Sequence, residues 1–397
     1  MKLLAQDGFG PGDKIKMGLE KGVIDGALLS SRYRGPDTFG DKLNEVPSGA
    51  FLFDPHYHAY QYFGNTNAQL GKLGEWDYFT APRRSALING SEIKPVIQKV
   101  IETQRAYPLM GYITPNVYVN SADSIDAAIA LNFIGSAKKV AQAIGINDKP
   151  VFATLALDRD VLVSGGAPLN DFIGALTSLE TFPDGFYLLV GSGTVDEDGR
   201  HIRSDIFDEK VIAGWMYINH VLSINGFKVV NGFSDLLSPL LGICGAYAGA
   251  TGWSTNLRQF SMGRYVRPSK QGGSAPLIRY VSCGLLARIK QTEHQDFSKI
   301  DGRVSNGLAS DKYYGGETTR TEEALQSWDA IKDLCDKTIS GDLERDLASF
   351  LGRIEKARAL WSGLEEAGFS SGVEAQYERL DAIRDGIARF KKLAELV

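Results

Sequence analysis

The chain predicts an α/β fold, a (β/α)8 TIM-type barrel with a C-terminal helical extension, and three observations predict it. Eight short apolar runs, each followed by a helix-like stretch, recur along about the first 290 residues. The clearest, Val151-Phe-Ala-Thr-Leu-Ala-Leu157 and Gly185-Phe-Tyr-Leu-Leu-Val-Gly191, are continuous rather than alternating, as strands buried on both faces must be. The 397 residues exceed the ~250 that a barrel alone needs, and the surplus near the C-terminus changes to a helical spacing of apolar residues.

In chain order, the polar, Gly-rich opening admits a short helix over 13–21. The first strand is expected at Asp25-Gly-Ala-Leu-Leu-Ser30, with Pro36-Asp37 opening the next helix. The second is Ala50-Phe-Leu-Phe53, ending in Asp54-Pro-His-Tyr-His58. A long aromatic-rich loop over 60–84 exceeds ordinary βα connections and reads as a lid or binding loop. A helix over 91–105 precedes the third strand, near 111–119, which Pro115 makes irregular. Asp123 is expected to cap a helix reaching about Ala143. Strand four ends at Asp158-Arg159-Asp160, and a helix over 167–181 leads to strand five, ending at Gly191-Ser-Gly-Thr194. An acidic loop at 196–201 and a helix over 209–224 lead to strand six, ending at Asn231. Strand seven is Ala250-Thr-Gly-Trp253, and strand eight is placed at Leu277-Ile-Arg-Tyr-Val-Ser282. Three domains follow: a barrel over 1–296, a linker or surface loop over 297–318, and a helical module over 319–397. The module has three helices joined at Gly341 and Gly372, which either cover the barrel or offer a dimer or partner surface.

The totals narrow the function. A formal charge of −5 gives no whole-protein basis for binding nucleic acid or an anionic membrane, so such binding requires a local basic patch. The opening residues turn polar too soon for a signal peptide, and no run approaches the ~18 apolar residues of a membrane span. Cys244, Cys283 and Cys335 are odd in number and far apart, which suggests neither a disulfide framework nor a metal site. A cytoplasmic setting is expected.

In such barrels function gathers at the C-terminal ends of the strands. There the chain carries Asp54, His56, His58 and Asp158 as candidate catalytic groups. Two carboxylates can serve glycosidic chemistry, one as acid or base and the other as nucleophile or cation stabiliser. Asp158 beside Arg159 equally fits an ion pair or a loop cap, and Asp54 before Pro55 fits a turn. His56-Tyr57-His58 has metal-ligand spacing. The other three histidines fall in the acidic loop, a helix and beyond the barrel, so no metal is expected, and no cofactor. Arginines make the more unusual pattern: Arg32, Arg34, Arg83, Arg84, Arg159, Arg258 and Arg264 all follow strands or lie in the long loop. Guanidinium groups suit phosphate or carboxylate, and Tyr33, Tyr57, Trp76, Tyr78, Trp253 and Tyr265 offer stacking surfaces. The alternative is pairing with rim acids. Arg32, Arg34, Asn116, Arg159, Asn231, Trp253, Asn256 and Arg258 are the candidate ligand-binding residues. Gly191-Ser-Gly193 and Gly272-Gly-Ser274 are short loops that can hold a phosphate on backbone amides.

The segment Gly249-Ala-Thr-Gly-Trp-Ser-Thr-Asn-Leu-Arg258 resembles the late-barrel strand of the tRNA-guanine transglycosylase family, where a Gly-rich approach leads to an acidic nucleophile and a basic loop. The resemblance implies a nucleobase-shaped ligand. The chain departs from the family in having Trp253, Ser254 and Thr255 where the nucleophile belongs, and in lacking the clustered zinc cysteines, so no catalytic residue carries over. The expectation is a cytosolic barrel that binds an anionic small molecule or nucleic-acid-derived ligand, with metal-free glycosidic transfer or hydrolysis if it is an enzyme. The alternative is a non-catalytic barrel acting in a homo-oligomer or protein assembly through residues 319–397.

Overall fold

The barrel begins one strand earlier than its apolar runs predict. In a computed structural model that describes residues 1–9, 12–44, 50–195, 201–202, 206–267, 277–370 and 372–396, the first strand is β1 (Lys2–Gln6). It is followed by β2 (Gly26–Ser30), β3 (Ala50–Asp54), β4 (Tyr112–Ile113 and, past Pro115, Tyr118–Val119), β5 (Val151–Asp158), β6 (Gly185–Gly191), β7 (Lys228–Asn231) and β8 (Ala248–Thr251). All pair in parallel, in the order β3-β2-β1-β8-β7-β6-β5-β4. The remaining gap, between β3 and β4, is crossed by the Met110 N–H donating to the Phe51 carbonyl at 2.9 Å. The sheet is thus the nearly closed eight-strand ring of a TIM-like barrel.

Two sequence placements are corrected. The expected first strand is the second, because Lys2–Gln6 has only Leu3, Leu4 and Ala5 as its apolar run, too few to stand out from a polar neighbourhood. The expected eighth strand is not in the barrel. Arg279–Ser282 (β9) turns back through Leu285 and pairs antiparallel with Ala287–Lys290 (β10) in a separate hairpin. Ala248–Thr251 closes the ring instead, against β1.

Helices surround the ring: α1 (Lys14–Glu20), α2 (Pro36–Asn44), α3 (Ile93–Arg105), α4 (Ile125–Ala143), α5 (Gly166–Thr177), α6 (Glu209–Ile224) and α7 (Ser238–Ile243). The cap of α4 is Ser124, whose Oγ accepts from the Ala127 N–H at 3.1 Å, and not Asp123, which accepts from the Ser121 hydroxyl instead. The eighth barrel helix comes late. After β8 the chain makes the β9–β10 hairpin, a helix at Gln291–Ile300 and short turns with buried Val304 and Tyr314. It then returns as α8 (Arg320–Thr338), which packs between α1 and α7. Thr319 and Glu322 form a capping box at its start. Trp328, fully buried, donates its indole N–H to the Thr251 carbonyl at 3.0 Å, and Lys332 pairs with Asp25 at 2.7 Å.

The last two helices, α9 (Leu343–Glu366) and α10 (Val373–Leu393), form an antiparallel hairpin outside the barrel, entered through Gly341 and Gly372, both with positive φ. Their apolar stripes are buried. α9 packs on α7, while Trp361 donates to the Leu285 carbonyl of the β9–β10 turn at 3.2 Å. α10 lies along α6, where Gly386 leaves room for Ile212 and Arg389 reaches Glu209 at 2.8 Å. No helix among the described residues is long and apolar enough to cross a membrane.

Candidate functional site at the barrel mouth

Laterally paired residues of a parallel sheet share a face, and one bond fixes which face looks inward. The Tyr187 hydroxyl of β6 donates to Asp54 Oδ2 at 2.8 Å, across the barrel from β3. Ser30, paired with Asp54, therefore faces inward. Along β5 and β6 the same parity turns Thr154, Ala156 and Asp158 inward, together with Tyr118 of β4. The C-terminal end of the barrel thus holds two carboxylic acids, each bonded by a buried tyrosine.

Asp54, Tyr187, His56, His58 and Tyr265 form one network, and all five side chains are at most 2% exposed. Asp54 Oδ1 accepts from the His56 N–H at 2.9 Å, and that bond holds His56 in left-handed backbone (φ 47°). The His56 ring lies 2.7 Å from Ser30 Oγ through Nε2 and 2.7 Å from the Tyr265 hydroxyl through Nδ1. The same hydroxyl is 2.9 Å from His58 Nε2. One hydroxyl has one proton and two lone pairs, so at most one of the two imidazoles on Tyr265 accepts and at least one donates. Ser30, His56, Tyr265 and His58 therefore make a chain along which a proton can shift by tautomer exchange, and Asp54 Oδ2 stands 3.5 Å from His56 Nε2 at one end.

Burial sets the ionisation here. Desolvation lifts Asp54 to about 6, against the bonds from His56 and Tyr187 and the nearby Arg264 charge that favour its anion. Desolvation also pushes His56 well below its ordinary value and His58 down to about 3, with Arg264 adding to both. The imidazoles are neutral at physiological pH. Asp158 is raised by desolvation as well. Its Oδ1 accepts from the Asp160 N–H at 3.0 Å, making it the N-cap of a short helix at Arg159–Ser164, while its Oδ2 accepts from the Tyr118 hydroxyl at 2.9 Å.

Arg264 is the cation of this site. Its guanidinium lies 4.5 Å from the Phe233 ring centroid, and Nη2 donates to the Asn256 carbonyl at 2.6 Å. Nε and Nη1 are buried and have no hydrogen-bond partner among the described residues. Phe233, Phe260 and Tyr118 form an aromatic wall beside it, with His58 set edge-on to Phe260 at 5.0 Å.

Other arginines expected to clamp a ligand bind the protein itself. Arg32 Nη2 donates to the carbonyls of Gln69 (2.9 Å) and Arg264 (2.6 Å), and its guanidinium lies over the Tyr265 and Tyr33 rings. It ties the 60–84 loop to the segment after β8. The Gln69 N–H to Tyr265 carbonyl bond (2.7 Å) and the Arg267 N–H to Asn67 carbonyl bond (2.9 Å) complete a clasp over the mouth. Arg34 pairs with Asp7 at 3.4 Å, Arg159 with Asp208 at 3.0 Å, and Arg258 with Glu323 at 3.5 Å while also donating to the Gly252 and Trp253 carbonyls. Asn116 holds the Thr154 carbonyl at 2.6 Å. Asn231 has outward parity and bonds Trp215 and Asn219 of α6, away from the mouth. Trp253 packs on Trp328 with Lys14 over its ring, and Asn256 supplies its carbonyl to Arg264. Residues 196–200 and 272–274 lie outside the described residues.

The structure thus brings together Asp54, His56 and His58 from the expected set, and adds Tyr187, Tyr265 and Arg264. Arg264 and Tyr265 stand in the basic and aromatic runs of the sequence with nothing to single them out. Tyr187 sits mid-strand in an apolar run, and only its bond to Asp54 across the barrel shows that it faces inward. No protein-family model matches the chain, and no curated protein or solved structure matches it either.

Proposed function

We propose that the barrel mouth binds an anionic, nucleotide- or nucleic-acid-derived ligand and carries out metal-free glycosidic transfer or hydrolysis on it. The observation that carries this reading is Arg264, whose buried Nε and Nη1 have no hydrogen-bond partner among the described residues, beside an acid poised near neutrality. A buried guanidinium with unmade bonds is costly, and an incoming phosphate or carboxylate supplies the acceptors it lacks. Asp54, half-protonated at about pH 6, is suited to give a proton to the leaving nitrogen or oxygen. The His56–Tyr265–His58 chain can replace that proton. Asp158, the second inward carboxylate, is the candidate to stabilise the cationic sugar or activate water. The ligand enters when the clasp parts. The weak resemblance to transglycosylases around Gly249–Arg258 points to the same ligand class, and three free thiols fit a reducing cytoplasm. The assembly reading has less to draw on, since the stripes of α9 and α10 are occupied by the barrel's own helices.

Ribose 5-phosphate is a suitable probe. Titration calorimetry is expected to show binding that Arg264→Gln weakens at least tenfold, about 1.4 kcal/mol, while Asp54→Asn leaves it within a few-fold. Release of free base from a nucleoside monophosphate pool, followed by chromatography, is expected for the native protein and absent in Asp54→Asn. Equal affinity in native and Arg264→Gln protein would remove Arg264 from the reading, and base release by Asp54→Asn would remove Asp54.

A further inference from the structure

Among the described residues three glutamines are completely buried: Gln6, Gln104 and Gln326. Two of them do the same thing. The Gln104 amide takes the Ile113 peptide groups on both sides, accepting from its N–H at 2.9 Å and donating to its carbonyl at 2.7 Å. Gln326 grips Val281 identically, at 3.0 and 2.9 Å. Each side chain fills its fork with an edge that sets one donor beside one acceptor. In Gln6 the fork is empty: neither Oε1 nor Nε2 has a hydrogen-bond partner among the described residues.

The pairing register shows where that fork is. Gln6 pairs with Leu28, two residues before Ser30, and Ser30 pairs with Asp54, so Gln6 shares their inward face. Gln6 ends β1 as Asp54 ends β3, and side chains from alternate strands of such a barrel meet in one interior layer. The polar groups next to it are engaged elsewhere. Asp7 takes Arg34 and the Ser30 N–H, and Ser30 Oγ takes His56. A buried amide with both halves unmade loses its solvation without compensation, which native interiors rarely tolerate without a partner to come.

We infer that Gln6 is a specificity-determining residue, and that it receives a planar ligand edge with a donor beside an acceptor, as on the lactam or amide edge of a heterocyclic base. This rests on the anion-binding reading above, with Arg264 taking the charged end of the same ligand and Gln6 its ring.

Calorimetry with two probes tests it, inosine 5′-monophosphate and ribose 5-phosphate, which carry a base and a hydroxyl, respectively, at the anomeric carbon. Both are titrated into protein that also carries Asp54→Asn, so that the nucleotide is not cleaved. With Gln6 in place, this protein is expected to bind the nucleotide at least tenfold more tightly. Gln6→Met, close in shape and without the amide, is expected to bring the two affinities within about twofold and to leave that for ribose 5-phosphate unchanged. Its ligand-free Tm is expected to equal or exceed the value with Gln6 in place, because no internal bond is lost. Equal affinities with Gln6 in place, with ribose 5-phosphate bound, overturn the role of Gln6 and leave the anion site standing. A preference that survives Gln6→Met, or a lower ligand-free Tm in that variant, overturns it too. Binding of neither probe removes the anion reading and this inference together.

Discussion

Asp54 is held between opposing demands, and its titration should show them. Two hydrogen bonds favour its anion, while complete burial favours the neutral acid and prevails, lifting it to about 6. Between about pH 4 and 6 the folded protein keeps a proton that the unfolded chain has already released. Stability therefore falls as pH rises through that window, and the full cost stands above it. Asn at this position removes the charge but keeps an oxygen for the His56 N–H. Asp54→Asn is expected to stabilise the ligand-free protein by about 1–3 kcal/mol at about pH 8 and to change little near pH 4, as read from urea unfolding at the two pH values. A variant equally stabilised at both would show that Asp54 does not titrate as its burial demands.

At the scale of elements, the closure of the ring depends on the two least legible pieces. β1 is hidden because three apolar residues between Lys2 and Gln6 carry little pattern, and α8 because 68 residues of excursion (252 to 319) separate it from β8. Long runs such as those of β5 and β6, buried throughout, are legible because nothing but a doubly covered strand is so uniformly apolar. The candidate site divides the same way. Acids and histidines at strand ends can be read from residue type, but Arg32 and Arg258 as internal ties, and Arg264 as a cation with two N–H groups unpartnered among the described residues, depend on loop paths that no periodicity encodes. α8 can be tested directly. Trp328 is its anchor, completely buried and bonded to the last residue of β8. Trp328→Ala is expected to cost about 3–5 kcal/mol in denaturant unfolding, as expected of a barrel helix. A loss below about 1 kcal/mol would make α8 a dispensable cover.

For the whole molecule, the mouth network decides how the barrel meets acid. Asp54 and Asp158 gain stability on acidification, while the histidines lose it. A depressed folded-state value means that the neutral-imidazole contribution is complete above the ordinary histidine value of about 6.5 and is lost as pH falls toward the folded-state value. For His58, pushed down to about 3, the loss by pH 4 spans about 2.5 pH units, about 3 kcal/mol. His56 is lowered as well and adds a loss in the same direction. Asp54 returns about 3 kcal/mol at most over its window, and Asp158, raised by desolvation, returns stability in the same direction. His58→Phe keeps an aromatic ring against Phe260 and removes one titration, so between about pH 7 and about pH 4 it should lose about 3 kcal/mol less stability than the native protein does. Unfolding free energies at the two pH values provide the measurement. If His58→Phe and the native protein lose stability in parallel on acidification, His58 is not the buried neutral base that the Tyr265 bond and the clasp make of it.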